Sequence, residues 1–120
     1  MVSKKLDTNK KLLIIGCGGH SKVITDIAEC IGYQKLCYLA ADEKEEIFLD
    51  NPLYNRIDEN YSEYFIVAIG DNYSRELIYN EFKVKNPKAI SVSLIHPSSY
   101  VSNRSVIGEG SVVMPLSAVN

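Results

Sequence analysis

Little in this sequence favours a membrane, a metal or a nucleic acid. No apolar run approaches the roughly 18 residues of a bilayer-spanning helix. The first residues lack the apolar stretch of a secretory signal, so a cytoplasmic protein is expected. Charge of one sign is missing too. Thirteen basic against 15 acidic residues leave a net charge of −2, which gives no footprint for nucleic acid or an anionic surface. Lys4, Lys5, Lys10 and Lys11 read as a solvated end. Cysteine is scarce and odd in number. Cys17, Cys30 and Cys37 have no CxxC spacing, which argues for buried free thiols over disulfides or a metal site.

What is present is an alternation of strands and helices in about one domain plus part of another. Lys11–Ile15 (KLLII) is a continuous apolar run that ends in Gly16-Cys17-Gly18-Gly19, as a buried parallel strand entering a glycine turn does. Val23, Ile24, Ile27, Ala28 and Ile31 then share one face of a helix, and Gly32 stops it. Lys35–Ala40 reads as a second strand, followed by the acidic run Asp42–Glu46. The stretch from Ile47 to Glu63 is least legible, with a short strand expected at Leu53–Ile57. Tyr64–Ile69 is a clear strand. A second helix follows, capped by Asp71 or Asn72, with Leu77, Ile78, Phe82 and Val84 as its expected buried stripe and Asn86-Pro87 as its stop. Ala89–Ile95 reads as a last strand, with Ile90, Val92 and Leu94 alternating. This order implies an α/β fold: a parallel sheet with helices on both faces.

From Ile95 the pattern changes. An aliphatic residue recurs every sixth position at Ile95, Val101, Ile107, Val113 and Val119, and a serine at Ser99, Ser105, Ser111 and Ser117. A period of six is neither helical nor plain strand alternation. It is the signature of a hexapeptide-repeat β-helix, with the serines at the corners.

Two turns carry candidate chemistry. In the first, Gly16, Gly18 and Gly19 allow close backbone approach, and the helix that follows offers unpaired N–H groups to an anion. His20 and Lys22 stand ready as donors, or as an ordinary cap and a solvated lysine. Asp42, beyond the second strand, is placed to accept from a ribose hydroxyl. The second turn is Gly70-Asp71-Asn72 with Arg75, at another strand's carboxyl end, where Arg75 either clamps a diphosphate or is simply exposed. His96, before Pro97, reads as a turn residue.

The segments IIGCGGHSKVITDIAE, IGDNYSR and IHPSSYVSNRSVIGEGSVVMPLSAVN together resemble the NeuD/PglD-type acyltransferases, over residues 11–120. These include sialic acid O-acetyltransferases and N-acetyltransferases of UDP-linked 4-amino sugars. The resemblance implies a Rossmann-like nucleotide-sugar-binding domain at 11–96 after a flexible 1–10, then the start of a left-handed β-helix at 97–120. It implies a UDP- or CMP-sugar lined by Gly18, Gly19 and His20 near the phosphates, Asp42 by the nucleoside, and Gly70, Asp71 and Asn72 opposite. In that family the β-helix trimerises, acetyl-CoA binds between neighbouring coils, and a histidine of a later coil is the general base. That coil lies beyond Asn120, and neither His20 nor His96 occupies its place. The expected role is therefore substrate binding, with no acetyl-CoA site or catalytic residue in this chain, and a weak trimer or a monomer. The competing readings are a non-catalytic binding or oligomerisation module and a NAD-binding oxidoreductase fragment. The latter lacks a GxGxxG and leaves the hexads unexplained.

Overall fold

A computed structural model describes residues 6–57, 60–102, 105, 107–108 and 110–119. Most of the expected flexible start, including Lys4 and Lys5, lies outside them. Ten strands and two helices are formed by the described residues. Strand β1 (Leu12–Ile15) leads into helix α1 (Gly19–Ile31), followed by β2 (Leu36–Leu39). Then come β3 (Ile47–Phe48), β4 (Asn51–Tyr54) and β5 (Tyr64–Val67). Helix α2 (Asn72–Lys85) and β6 (Ile90–Ser91) complete the sheet domain.

The sheet order is β3-β4-β2-β1-β5-β6. All neighbours are parallel except β3 with β4. The chain builds outward from β1 on one side, then returns to place β5 on the other. The carboxyl ends of β1 and β5 thus flank a topological switch point, where open α/β sheets bind ligands.

Strand alternation divides the core in two. Leu12, Ile14, Tyr38, Tyr64 and Ile66 pack with Ile24, Ile27 and Ala28 of α1. Leu13, Ile15, Cys37, Phe65 and Val67 pack with Phe82 of α2 on the other face. Gly32 ends α1 at φ 120°, its amide bonded to the Ala28 and Glu29 carbonyls. Asn86 ends α2, its side-chain amide donating to the Phe82 carbonyl at 3.0 Å while its Oδ1 accepts from the Tyr61 amide at 2.7 Å.

Beyond β6 the chain enters a coil. Strands β7 (Leu94–Ile95) and β9 (Val112–Val113) pair in parallel, as do β8 (Tyr100–Val101) and β10 (Ala118–Val119). Every paired residue lies eighteen positions from its partner (112 − 94; 118 − 100), three times the six-residue spacing. The serines work at the turns. Ser99 donates to the His96 carbonyl at 2.6 Å, and Ser105, itself buried, donates to the Val119 carbonyl at 3.2 Å.

Three local expectations change. Ala89–Ile95 is not one strand: β6 stays in the sheet, Ile90 is 49% exposed, and Leu94–Ile95 belong to the coil. The strand expected at Leu53–Ile57 runs instead over Asn51–Tyr54, its start set by an antiparallel hairpin with β3. On α2, Leu77 and Val84 are 47% and 82% exposed. Phe82 and the half-buried Ile78 and Tyr79 face the sheet, since a single helix lies over this face and buries only a narrow stripe.

Candidate functional site

The glycine turn forms because β1 ends against β5. Gly16 has φ +129°, and a Cβ there would stand 2.8 Å from the Ala68 carbonyl oxygen. The backbone at this position accepts no side chain. Gly18 and Gly19 differ: a Cβ at either would meet nothing within 4 Å, and neither has a positive φ. The chain itself does not require glycine there. Gly18 is the N-cap of α1, with no side-chain bond to the first amides and no acidic residue in the first turn. The positive end of the helix dipole is therefore open to an anion. His20 is half-buried and Lys22 exposed; neither makes a side-chain hydrogen bond or ion pair among the described residues.

Behind the turn, the Cys17 thiol donates to a Glu43 carboxylate oxygen at 3.5 Å. Partial burial, then the Glu43 bond and charge, push this thiol above its usual range, so it stays protonated. Asp42 sits on an exposed turn at φ 65°. The carboxylate brought to the glycine turn is that of Glu43, one residue further along the acidic run. Which member would face inward was hidden by the turn geometry.

The second turn is built differently. Asp71 caps α2 with its own carboxylate, accepting from the Ser74 amide at 2.8 Å. Hydrogen bonds from the Ser74 hydroxyl and amide, helped by the Arg75 charge, hold the Asp71 carboxyl below its usual range. Arg75 donates to the Ile69 carbonyl at 3.4 Å and to Asn72 Oδ1, so it braces the Ile69–Asn72 turn. Gly70 is exposed, with open space where its Cβ would be.

Two clefts flank these turns. One, of about 470 Å³, lies on the α2 face at the ends of β1 and β2. It includes Gly16, an apolar floor of Ile15, Leu39 and Ile69, and a polar rim with Arg56 and Lys85. The other, of about 440 Å³, takes in Asn72 and Arg75. The structure thus brings Gly16–His20 beside Gly70–Asn72 across β1 and β5, and leaves Asp42 and Lys22 at the margin. Arg56 and Lys85 were not expected: nothing in the local sequence marks two exposed cations as sharing one rim. Among the described residues no group of His, Cys, Asp and Glu is arranged to hold a metal, and no helix is long and apolar enough to cross a membrane.

Residues 11–82 match the PglD N-terminal domain family. The chain belongs to this family. A curated relative, UDP-N-acetylbacillosamine N-acetyltransferase of Bacillus subtilis (strain 168), is 29% identical over 113 residues, covering 88% of this chain and 51% of the relative. Perosamine N-acetyltransferase from Caulobacter crescentus, solved in complex with CoA and GDP-perosamine, superposes with a TM-score of 0.78 at 28% identity, over 92% of this chain and 54% of the other. The acetyltransferase domain of PglB from Neisseria gonorrhoeae FA1090, solved with acetyl coenzyme A, gives a TM-score of 0.75 at 30% identity, over 92% and 55%. The chain spans about half the length of these family members.

Proposed function

We propose that this chain is the nucleotide-sugar-binding portion of an acetyl-CoA-dependent sugar acyltransferase. The observation that carries the reading is the open α1 terminus at the switch point. It joins an uncapped helix end to two glycines whose missing side chains answer to nothing inside the molecule. A diphosphate fits there, against the Gly19 and His20 amides, with His20 and Lys22 as further donors. The apolar cleft beside it receives the nucleoside, and Asp42 or Glu43 meets the ribose hydroxyls. Gly70, Asp71 and Asn72 form the opposite wall, braced by Arg75.

In the longer protein, a left-handed β-helix continues the coil and assembles as a trimer in the cytoplasm. When bound, acetyl-CoA supplies an acyl thioester. A histidine of a later coil removes a proton from the acceptor amine, which attacks the thioester carbonyl and releases the CoA thiol. An amine acceptor is favoured over a hydroxyl because the named relatives are N-acetyltransferases. A uridine-linked sugar draws support from the Bacillus relative and a guanosine-linked one from the Caulobacter structures. The cytidine-linked, sialic-type sugar draws none from them.

Amide NMR titration with UDP-N-acetylglucosamine, GDP-mannose and CMP-sialic acid tests the reading. Shifts at Gly18–His20 and Gly70–Asn72 are expected from at least one diphosphate sugar. Shifts confined to the coil would overturn it.

A further inference from the structure

We propose that the first corner of the coil, His96-Pro97-Ser98-Ser99, is an acid-sensitive switch: protonation of His96 turns the Pro97–Ser98 peptide over and releases the next corner. The proposal goes beyond the nucleotide-sugar reading and needs no ligand. Its motive is a comparison of two stacked corners that lie eighteen positions apart (114 − 96). In the first, the Ser99 amide donates to the His96 carbonyl at 3.0 Å; in the second, the Ser117 amide donates to the Met114 carbonyl at 3.2 Å. Both carry proline at the second position, which suits turns of type I and type II alike. They differ at the third. Leu116 has φ 59°, as type II requires, whereas Ser98 has a negative φ, as in type I. The two forms differ by a half-turn of the central peptide, so the second corner displays the state that the first avoids.

His96 supplies the reason. Its Nδ1 accepts from the Ser98 amide at 3.0 Å and from the Ser98 hydroxyl at 2.8 Å. A ring nitrogen that accepts a backbone N–H carries no proton of its own, so this ring is neutral. The contact copies an Asx turn and holds the peptide in its type I orientation. Met114, in the matching place, has no ring nitrogen to offer, and there the peptide is turned over. The Ser98 hydroxyl oxygen also accepts from the Leu116 amide at 2.9 Å, which ties the two corners together. The Leu116 side chain is 86% exposed, so packing does not hold that residue at its unfavourable φ. A proton on His96 Nδ1 would set two N–H groups against each other across 3.0 Å. The Ser98 amide then has no acceptor, and turning its peptide over carries the Ser98 hydroxyl away from Leu116.

Few ionisable groups lie around the ring. Strands β7 and β9 and residues 114–117 carry none. Strand β8 brings Tyr100, and α1, which packs on β7, carries His20, Lys22, Asp26, Glu29 and Cys30. Among the described residues none of these bonds or pairs with His96. The switch therefore rests on an imidazole, a group that ordinarily titrates at about pH 6.5. The neutral ring holds the corner, so the corner is complete while the ring is neutral and is lost as pH falls through its titration.

Amide NMR on the whole chain from about pH 8 to about pH 5 tests this. In the parent, the Ser98 amide should move together with the His96 ring, and the Pro97 Hα–Ser98 amide contact, close only in type II, should grow. Protection of the Leu116 amide from exchange, corrected for the intrinsic effect of pH, should fall roughly three- to tenfold. His96→Asn keeps an acceptor that does not titrate, and should hold the type I corner throughout. His96→Met copies the second corner and should show the turned-over form at every pH. The proposal is overturned if the His96 ring titrates while Ser98 and Leu116 stay still, or does not titrate in this range. It also falls if His96→Asn responds as the parent does, which would assign the effect to another group such as His20. Absence of protection at Leu116 at pH 8 would overturn it too, since the tie between the corners would not exist.

Discussion

Helices α1 and α2 each begin at the carboxyl end of a central strand, yet their first turns are opposites. Gly18 leaves the α1 terminus uncapped and uncharged. Asp71 fills the α2 terminus with a carboxylate bonded to the Ser74 amide. A helix dipole favours an anion at either place. At α2 the chain supplies that anion itself; at α1 it leaves the place open. A missing cap lowers the stability of α1, and on the proposed reading this open terminus is where the diphosphate binds. The glycines repeat the contrast on a smaller scale, since Gly16 is demanded by the Ala68 carbonyl while Gly18 and Gly19 are demanded by nothing in the fold.

The largest effect expected is on the fold. Gly16→Val should destabilise by roughly 1–3 kcal/mol from the disfavoured backbone and about 1–3 kcal/mol more from overpacking against the Ala68 carbonyl. Urea unfolding reads this directly, and an unchanged midpoint would remove the distinction between Gly16 and its neighbours. Next comes a change that makes α1 resemble α2. Gly18→Asp should lower affinity for UDP-N-acetylglucosamine or GDP-mannose more than tenfold, while raising stability by a few tenths of a kcal/mol. Binding at parental strength would show that the two termini do not differ in the way argued. Gly19→Val should also lose binding, with stability unchanged or raised by a few tenths of a kcal/mol, since valine has the higher helix propensity and a Cβ there meets nothing. Calorimetry on the folded variant decides it; parental affinity makes the turn structural only.

Two smaller effects concern charge. The folded Asp71 carboxyl is held below its usual range. Its contribution to stability is therefore complete above the unfolded value, near 4, and is lost as pH falls through the lower folded value. The stability difference between the parent and Asp71→Asn should be flat from pH 7 to 5 and shift against the parent below about pH 4. A difference constant down to pH 3 would show that the cap does not titrate as described. At the other turn, an aromatic disulfide reagent at neutral pH should label the exposed Cys30 before Cys17, whose thiol is held protonated. Glu43→Gln should speed Cys17 labelling; no change would mean that Glu43 does not govern it.

Much of this was legible along the chain. β1, β2 and β5 are near-continuous apolar runs, the pattern of strands covered on both faces. The α1 face followed from Ile24, Ile27 and Ala28, and the coil from aliphatic residues spaced by six. The α2 stripe was misread. Leu77 and Val84 are as apolar as any core residue, and only the narrow cover that α2 gives the sheet leaves them outside. Leu94 looked like the end of a sheet strand because inward alternation continues through it. Its pairing with Val112, eighteen residues on, moved it into the coil.

The sequence by itself determined the central strands β1, β2 and β5, both helices, their order and the two turns, because these depend on local periodicity and on the freedom that glycine gives a backbone. Only the tertiary structure decided that β1 and β5 are neighbours, so that the two turns face one another across the switch point. It also decided which acidic residue reaches the glycine turn, and that Asn72 and Arg75 share a cleft with Ser91 and Gly110. These are facts of distance between residues far apart in the chain. No local pattern carries them, since sheet order and helix placement are set by burial summed over the whole domain. The three glycines of the first turn are identical as letters, and only the presence of the Ala68 carbonyl beside Gly16 and of open space beside Gly18 and Gly19 tells them apart.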